Sequence, residues 1–168
     1  MNADHGQDRA QDTAGTGTTG TDTTGTDTAG RDTGAAVERI LTATGDTWAV
    51  VGLSNNTSRA AYGVARVLKD FGKRVVPVHP KAETVHGERG YASLDQIPFP
   101  VDVVDVFVNA DLAGQVADEA VAIGAKAVWF QLGVVDDGAY ARTRAAGLDM
   151  VMDRCPAIEI PALGGGAR

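Results

Sequence analysis

VVGLSNNTSRAAYG, running from Val50 to Gly63, is the stretch that decides how this chain folds. An apolar run ends in Gly52, small polar residues follow, and from Ala60 onward the apolar positions take a helical spacing. Strand, glycine turn and helix in that order make the first half of a βαβ unit. Gly52 permits a sharp turn and close approach of backbone to a ligand. Ser58 stands where an N-cap belongs, and the amides of Arg59, Ala60 and Ala61 would follow it without intrahelical acceptors. Such amides, together with the positive end of the helix, favour an anion, and Arg59 adds a forked cationic donor. A plain βα connector also uses a glycine and a cap, so the loop by itself leaves both readings open. The dinucleotide fingerprint G-x-G-x-x-G is absent.

Outward from this loop, apolar runs alternate with helical patterns. Ala60, Val64, Val67, Leu68 and Phe71 form the stripe of a helix buried on one side, and Gly72 stops it. Gly63 inside that helix costs about 1 kcal/mol relative to Ala, which hard packing against a strand or a ligand would explain. Thr47–Gly52, Arg74–Val78, Val101–Val108, Lys126–Gln131 and Leu148–Met152 read as strands. Helices are expected over Ala35–Leu41, from Asp111 to Ile123 before Gly124, and from Asp136 to Ala146 before Gly147. This alternation implies a parallel sheet, and the mostly continuous apolar strands imply helices on both faces. The expected fold is α/β: a Rossmann-like, doubly wound parallel sheet of about five strands in three α/β/α layers.

Composition sets the limits. The 168 residues suit one domain with a real core, and 43% are hydrophobic. No apolar run approaches the roughly 18 residues of a membrane span, and the N-terminal residues resemble neither a secretory signal nor a transit peptide. A single cysteine, Cys155, forms no internal disulfide, so a cytoplasmic location is expected. A net charge of −7 argues against nucleic acid or an anionic membrane as partner. Residues 1–34 are expected to be a disordered tail rich in Gly, Thr and Asp, with the domain spanning 35–168. The tail holds six Asp and two Arg, or −4, which leaves −3 for the remainder.

The tip of the second strand discriminates among nucleotides. An NAD enzyme places an acidic residue there for the ribose hydroxyl. Here the sequence is Val78-His79-Pro80-Lys81, and the first acid is Glu83. A lysine at that tip suits an additional ribose phosphate, as in coenzyme A or NADP, and the missing fingerprint disfavours NADP. A solvated surface lysine is the alternative.

Four segments in order carry a resemblance: G-L-S-x-N-x-S-R (Gly52–Arg59), P-V-H-P-K (Pro77–Lys81), A-V-W-F-Q-L-G (Ala127–Gly133) and V-M-D-R-C-P-x-I-E (Val151–Glu159). Over about Ala35 to Leu163 the chain resembles the stand-alone CoA-binding domain family, and is similar to the N-terminal CoA-binding domain of the succinyl-CoA synthetase alpha subunit. The resemblance implies a Rossmann-like fold with CoA or acyl-CoA lying across the strand ends. It implies phosphate contacts from Gly52, Leu53, Ser54, Ser58 and Arg59, and adenosine contacts from His79, Pro80 and Lys81. Val108 with Asn109, and Phe130 with Gln131 and Leu132, would line the remaining groove. Two departures stand out. The family commonly has asparagine where His79 stands, and often arginine where Val108 stands.

The sequence offers no catalytic constellation. The synthetase's phosphorylated histidine belongs to a further domain. The histidines are His5, His79 and His86; His5 falls in the tail and His86 in a loop, neither with an evident nucleophile beside it, and metal-ligand spacing, a nucleophile elbow and a carboxylate pair are not seen. Asp102, Asp105 and Asp111 are expected at strand ends and a helix cap. Trp129 is expected in the core. Cys155 reads either as a packed small side chain or as a thiol able to form a mixed disulfide with CoA. The expected function is non-catalytic CoA or acyl-CoA binding by a carrier, sensor or regulator, with the protein partner unknown. The alternatives are the CoA-binding subunit of a multi-chain acyl-CoA ligase and an NAD(P)-responsive regulator.

Overall fold

The computed structural model describes residues 33–164. The expected tail, apart from its last two residues, lies outside the described residues. Thr33 already opens the first helix, α1 (Thr33–Thr42). There follow β1 (Thr47–Val51), α2 (Ala60–Asp70), β2 (Arg74–Val78), a 3₁₀ turn (Leu94–Gln96) and β3 (Val103–Val106). α3 (Ala110–Ala122), β4 (Ala127–Phe130), α4 (Asp137–Ala145), β5 (Asp149–Val151) and α5 (Pro156–Ala162) complete the order.

The five strands form one parallel sheet in the order β2-β1-β3-β4-β5. The chain moves one way from β1 to β2 and the other way from β3 to β5. The winding therefore reverses between β1 and β3, where ligands of open α/β sheets bind. Alternation along the strands divides the interior in two. Trp48, Val50, Val103 and Trp129 face α1, α2 and α5, whereas Ala49, Val104, Val128 and Phe130 face α3, α4 and the 3₁₀ turn. This is the expected Rossmann-like, three-layer α/β arrangement. α2 buries Ala61, Val64, Ala65 and Leu68 against the sheet. No described helix is long and apolar enough to cross a membrane.

Several boundaries differ from expectation. β3 is limited to Val103–Val106, because Asp102 turns back to accept the Thr47 amide at 3.0 Å and pairs with Lys126 at 3.2 Å. Asp105 is not at a strand end. It lies inside β3, wholly buried, in register with Val50 on one side and Trp129 on the other. Asp111 is not the cap of α3 either; Asn109 is. Gly63 does not pack hard against a strand: a Cβ built there meets nothing within 4 Å. α5 was not expected from the sequence at all, because Pro161 lies inside it.

Candidate functional site

A groove of about 900 Å³ opens at the carboxyl ends of β1 to β4, over the reversal of the winding. Its floor begins at Gly52, whose φ of +104° suits glycine and whose built Cβ would come within 3.1 Å of the Phe107 Cβ. The Gly52 amide still donates to the Val78 carbonyl at 2.8 Å, so the loop leaves the sheet from a pinned point. Leu53 turns inward and is buried in the core, which anchors the loop from below.

The rest of the loop is held by its own asparagines. Asn56 Oδ1 accepts from the Ser58 amide at 3.0 Å and from Ser58 Oγ at 2.6 Å. Ser54 Oγ accepts from the Asn56 amide at 3.2 Å. Asn55 ties the loop to the segment after β2: its amide donates to Glu83 Oε1 at 3.0 Å and its Nδ2 to the Thr84 carbonyl at 2.9 Å. Sequence reasoning passed over both asparagines. The signal for Asn56 was the ability of asparagine to bond the backbone two residues on; the partners of Asn55 lie 28 and 29 residues away, beyond any local signal.

Ser58 is not the N-cap of α2. The cap is Arg59, in extended backbone, and its side chain makes no capping bond. The Arg59 amide is also occupied, donating to the Asn56 carbonyl at 3.1 Å. The free donors are thus Ala60 and Ala61, which precede the first intrahelical bond and have no acceptor among the described residues. α2 has no acid in its first turn. Across the groove α3 is capped by Asn109, whose Oδ1 accepts the Asp111 amide at 3.1 Å. α4 is capped by Asp136, whose Oδ1 accepts the Ala139 amide at 2.9 Å.

Of the sequence-expected residues, Gly52, Ser54, Arg59, His79, Pro80, Lys81, Val108, Asn109 and Leu132 line the groove. Leu53, Ser58, Phe130 and Gln131 do not. Phe130 is buried among the residues facing α3 and α4. Gln131 is buried and donates to Asp105 Oδ1 at 2.5 Å, an inward use of an amide expected to face the ligand. Burial pushes the Asp105 carboxyl up to about 8, against the opposing effect of the Gln131 bond. Its Oδ2 has no partner among the described residues.

The electrostatics of the groove are one-sided. Arg59, Lys81 and His79 line it, and among the described residues no Asp or Glu does. Arg59 and Lys81 have no ion-pair partner among the described residues. His79 Nδ1 accepts from the Lys81 amide at 3.1 Å, which fixes the turn at the β2 tip. Leu112 and Leu132, each more than half exposed, form an apolar rim.

Cys155 lies outside the groove. It is buried in the cluster with Trp48 and Trp129 and precedes α5. His86 is also elsewhere: its ring stacks on Tyr62 with centroids 4.3 Å apart, and its Nε2 lies 2.8 Å from the Tyr62 carbonyl oxygen. His5 lies outside the described residues. Trp129 is core, and its Nε1 donates to the Arg154 carbonyl at 2.9 Å.

Residues 46–161 match a protein family described as CoA binding domain. YneT, an uncharacterized protein of Bacillus subtilis, is 34% identical over 107 residues, covering 64% of this chain and 79% of that protein. The alpha subunit of the ADP-forming acetate–CoA ligase II of Pyrococcus furiosus is 35% identical over 81 residues. That match covers 48% of this chain and only 18% of the ligase subunit. Among solved structures, a hypothetical protein from Pyrococcus horikoshii superposes with a TM-score of 0.73 at 37% identity. That superposition covers 78% of this chain and 92% of the archaeal one.

Proposed function

The chain belongs to the CoA-binding domain family, and on that premise we propose that it binds coenzyme A or an acyl-CoA in the cytoplasm without transforming it, as a carrier, sensor or regulator. The observation that carries this reading is the uncapped amino end of α2 beside two cations, Arg59 and Lys81, in a groove where the described residues supply them no ion-pair partner and no carboxylate. The residues present fit the group. The diphosphate takes the amides of Ala60 and Ala61, with Arg59 as its charged partner. Gly52 keeps the wall low enough for backbone to meet phosphate, and Asn55, Asn56 and Ser54 hold the loop so that little ordering is left for binding. Lys81 at the β2 tip receives the ribose phosphate, with His79 and Pro80 alongside the adenosine. The pantetheine arm runs toward Leu112 and Leu132, whose exposed side chains offer it an apolar bed.

Calorimetry with CoA, dephospho-CoA, NAD and NADP tests this assignment. CoA binding with a clear loss for dephospho-CoA supports the role of Lys81; exclusive binding of NAD overturns it. The 35% identity to a ligase alpha subunit favours a second reading, in which the chain supplies CoA to catalytic parts on another polypeptide. Turnover of a carboxylic acid, CoA and a nucleoside triphosphate only after mixing with such a chain would decide for it.

A further inference from the structure

Glu83, the first acid beyond the β2 tip, stands near where a dinucleotide enzyme places its ribose-binding carboxylate. The structure turns it elsewhere. Glu83 is half-buried and does not line the groove, and its Oε1 accepts the backbone amide of Asn55 at 3.0 Å. Asn55 completes the contact, its Nδ2 donating to the Thr84 carbonyl at 2.9 Å. Two hydrogen bonds thus clasp the phosphate loop to the segment that carries Lys81, across 28 and 29 residues of sequence.

The two sides of this clasp are built unequally. On the Lys81 side the chain is anchored at several points. The Ala82 amide donates to the His79 carbonyl at 2.7 Å, and the Lys81 amide to His79 Nδ1 at 3.1 Å. Val85 is wholly buried in the cluster that holds Val64 and Leu68 of α2, and Lys69 of α2 donates to the His86 carbonyl. Directly before Glu83, Ala82 takes a φ of +50°, a conformation a non-glycine residue keeps only where its surroundings enforce it. On the other side, residues 55–60 are exposed, and the remaining bonds of Ser54, Asn56 and Ser58 are local. The clasp therefore ties an exposed loop to a fixed one. It also keeps a negative charge two residues from Lys81, where it opposes the positive field of the groove.

From this geometry we propose that Glu83 is a positioning residue that sets the spacing between two anion subsites, the α2 amino end with Arg59 and the β2 tip with Lys81. The groove thereby selects a nucleotide bearing a diphosphate and a separate ribose phosphate. For the ligand's identity this rests on the CoA reading above; the clasp itself does not. A second contact from one ligand gains from the first only while the geometry engages both. A loop cut loose from the β2 tip still receives a diphosphate, but no longer delivers the ribose phosphate to Lys81.

Calorimetry with CoA and dephospho-CoA on the full chain, Glu83→Ala and Glu83→Gln separates positioning from charge. Removing a negative charge would by itself tighten the binding of an anion. Glu83→Ala is instead expected to bind CoA about three- to tenfold more weakly, part of the ten- to hundredfold that a lost charged hydrogen bond costs. Its affinity for dephospho-CoA is expected to change little. Glu83→Gln keeps an accepting oxygen for the Asn55 amide and is expected to bind CoA at least as tightly as the natural chain. Undiminished CoA binding by Glu83→Ala, equal losses for both ligands, or a Glu83→Gln that behaves as Glu83→Ala overturns the proposal. Hydrogen exchange of the Asn55 amide in the ligand-free proteins gives a readout independent of CoA. Slow exchange in the natural chain and Glu83→Gln with fast exchange in Glu83→Ala supports the clasp, and equal rates in all three overturn it. If the natural chain binds no CoA, the functional reading fails and exchange alone decides the clasp. Should Glu83→Ala not fold, Asn55→Ala breaks the Thr84 bond from the other side: a fall in the preference for CoA over dephospho-CoA supports the proposal, and an unchanged preference overturns it.

Discussion

The β1–α2 and β3–α3 units stand side by side at the reversal of the sheet, yet they spend their polar groups in opposite directions. β3 carries Asp105 inward to Gln131, and its mouth is closed by Asn109 on the Asp111 amide. β1 has Val50 at the position in register with Asp105, and its helix begins without a side-chain cap. The cations of that mouth, Arg59 and Lys81, have no ion-pair partner among the described residues. One unit turns its polar groups into the interior or onto its own backbone; the other leaves amides and charges toward the groove. The contrast implies that changes in the β3 unit register mainly in stability, whereas changes in the β1 unit register mainly in affinity.

The largest effect tests the inward side. An unfolded chain ionises Asp105 from about its ordinary 3.8, whereas the folded protein holds that proton until about 8. A folded value raised in this way means stability that is complete below the lower value and is lost as pH rises toward the upper one. Asp105→Asn is therefore expected to match the natural chain near pH 4 and to exceed its stability increasingly up to about pH 8, by roughly 3–5 kcal/mol. Urea unfolding across that range measures it. A pH-independent difference would break the assignment of the buried, protonated carboxyl.

Next come the two cations. Arg59→Ala and Lys81→Ala each remove a charged hydrogen bond of about 1.5–3 kcal/mol, hence a loss of CoA affinity of about ten- to a hundredfold with little change in melting temperature. Lys81→Ala is expected to cost little against dephospho-CoA, which isolates the phosphate it meets. Unchanged affinity in both variants would remove the distinction between the units.

The smallest change closes the series. Asn109→Ala removes the cap of α3 and is expected to lower stability by about 1 kcal/mol while CoA affinity changes less than threefold. A large affinity loss there would show that the self-capped mouth also serves the ligand.

Much of this architecture could be read before any coordinates. Strands such as Arg74–Val78 are dense in β-branched residues, and Gly72, Gly124 and Gly147 mark helix ends, so the order of elements followed from local chemistry. What escaped was non-local. An isolated buried carboxylate is costly, so the sequence alone favours a strand end for Asp105, and its partner Gln131 comes 26 residues later. α5 was missed because Pro161 reads as a breaker, although Pro156 at its first position was a usable start signal. The choice between Ser58 and Arg59 as cap, or Asp111 and Asn109, falls within the one or two residues by which helix ends are uncertain. Nine of the expected site residues line the groove because glycine loops and strand tips are fixed by topology. Leu53, Ser58, Phe130 and Gln131 do not, since which face a strand-end side chain takes depends on neighbours far along the chain.

Trp48 and Trp129, the chain's two tryptophans, lie wholly buried with ring centroids 5.8 Å apart. Neither lines the groove. Indole fluorescence from this protein is consequently a gauge of whether the interior facing α1, α2 and α5 is intact, and it should stay almost silent when a ligand arrives. Melting followed by that emission and titration followed by heat then observe separate events, so one sample can assign a variant's defect to folding or to recognition.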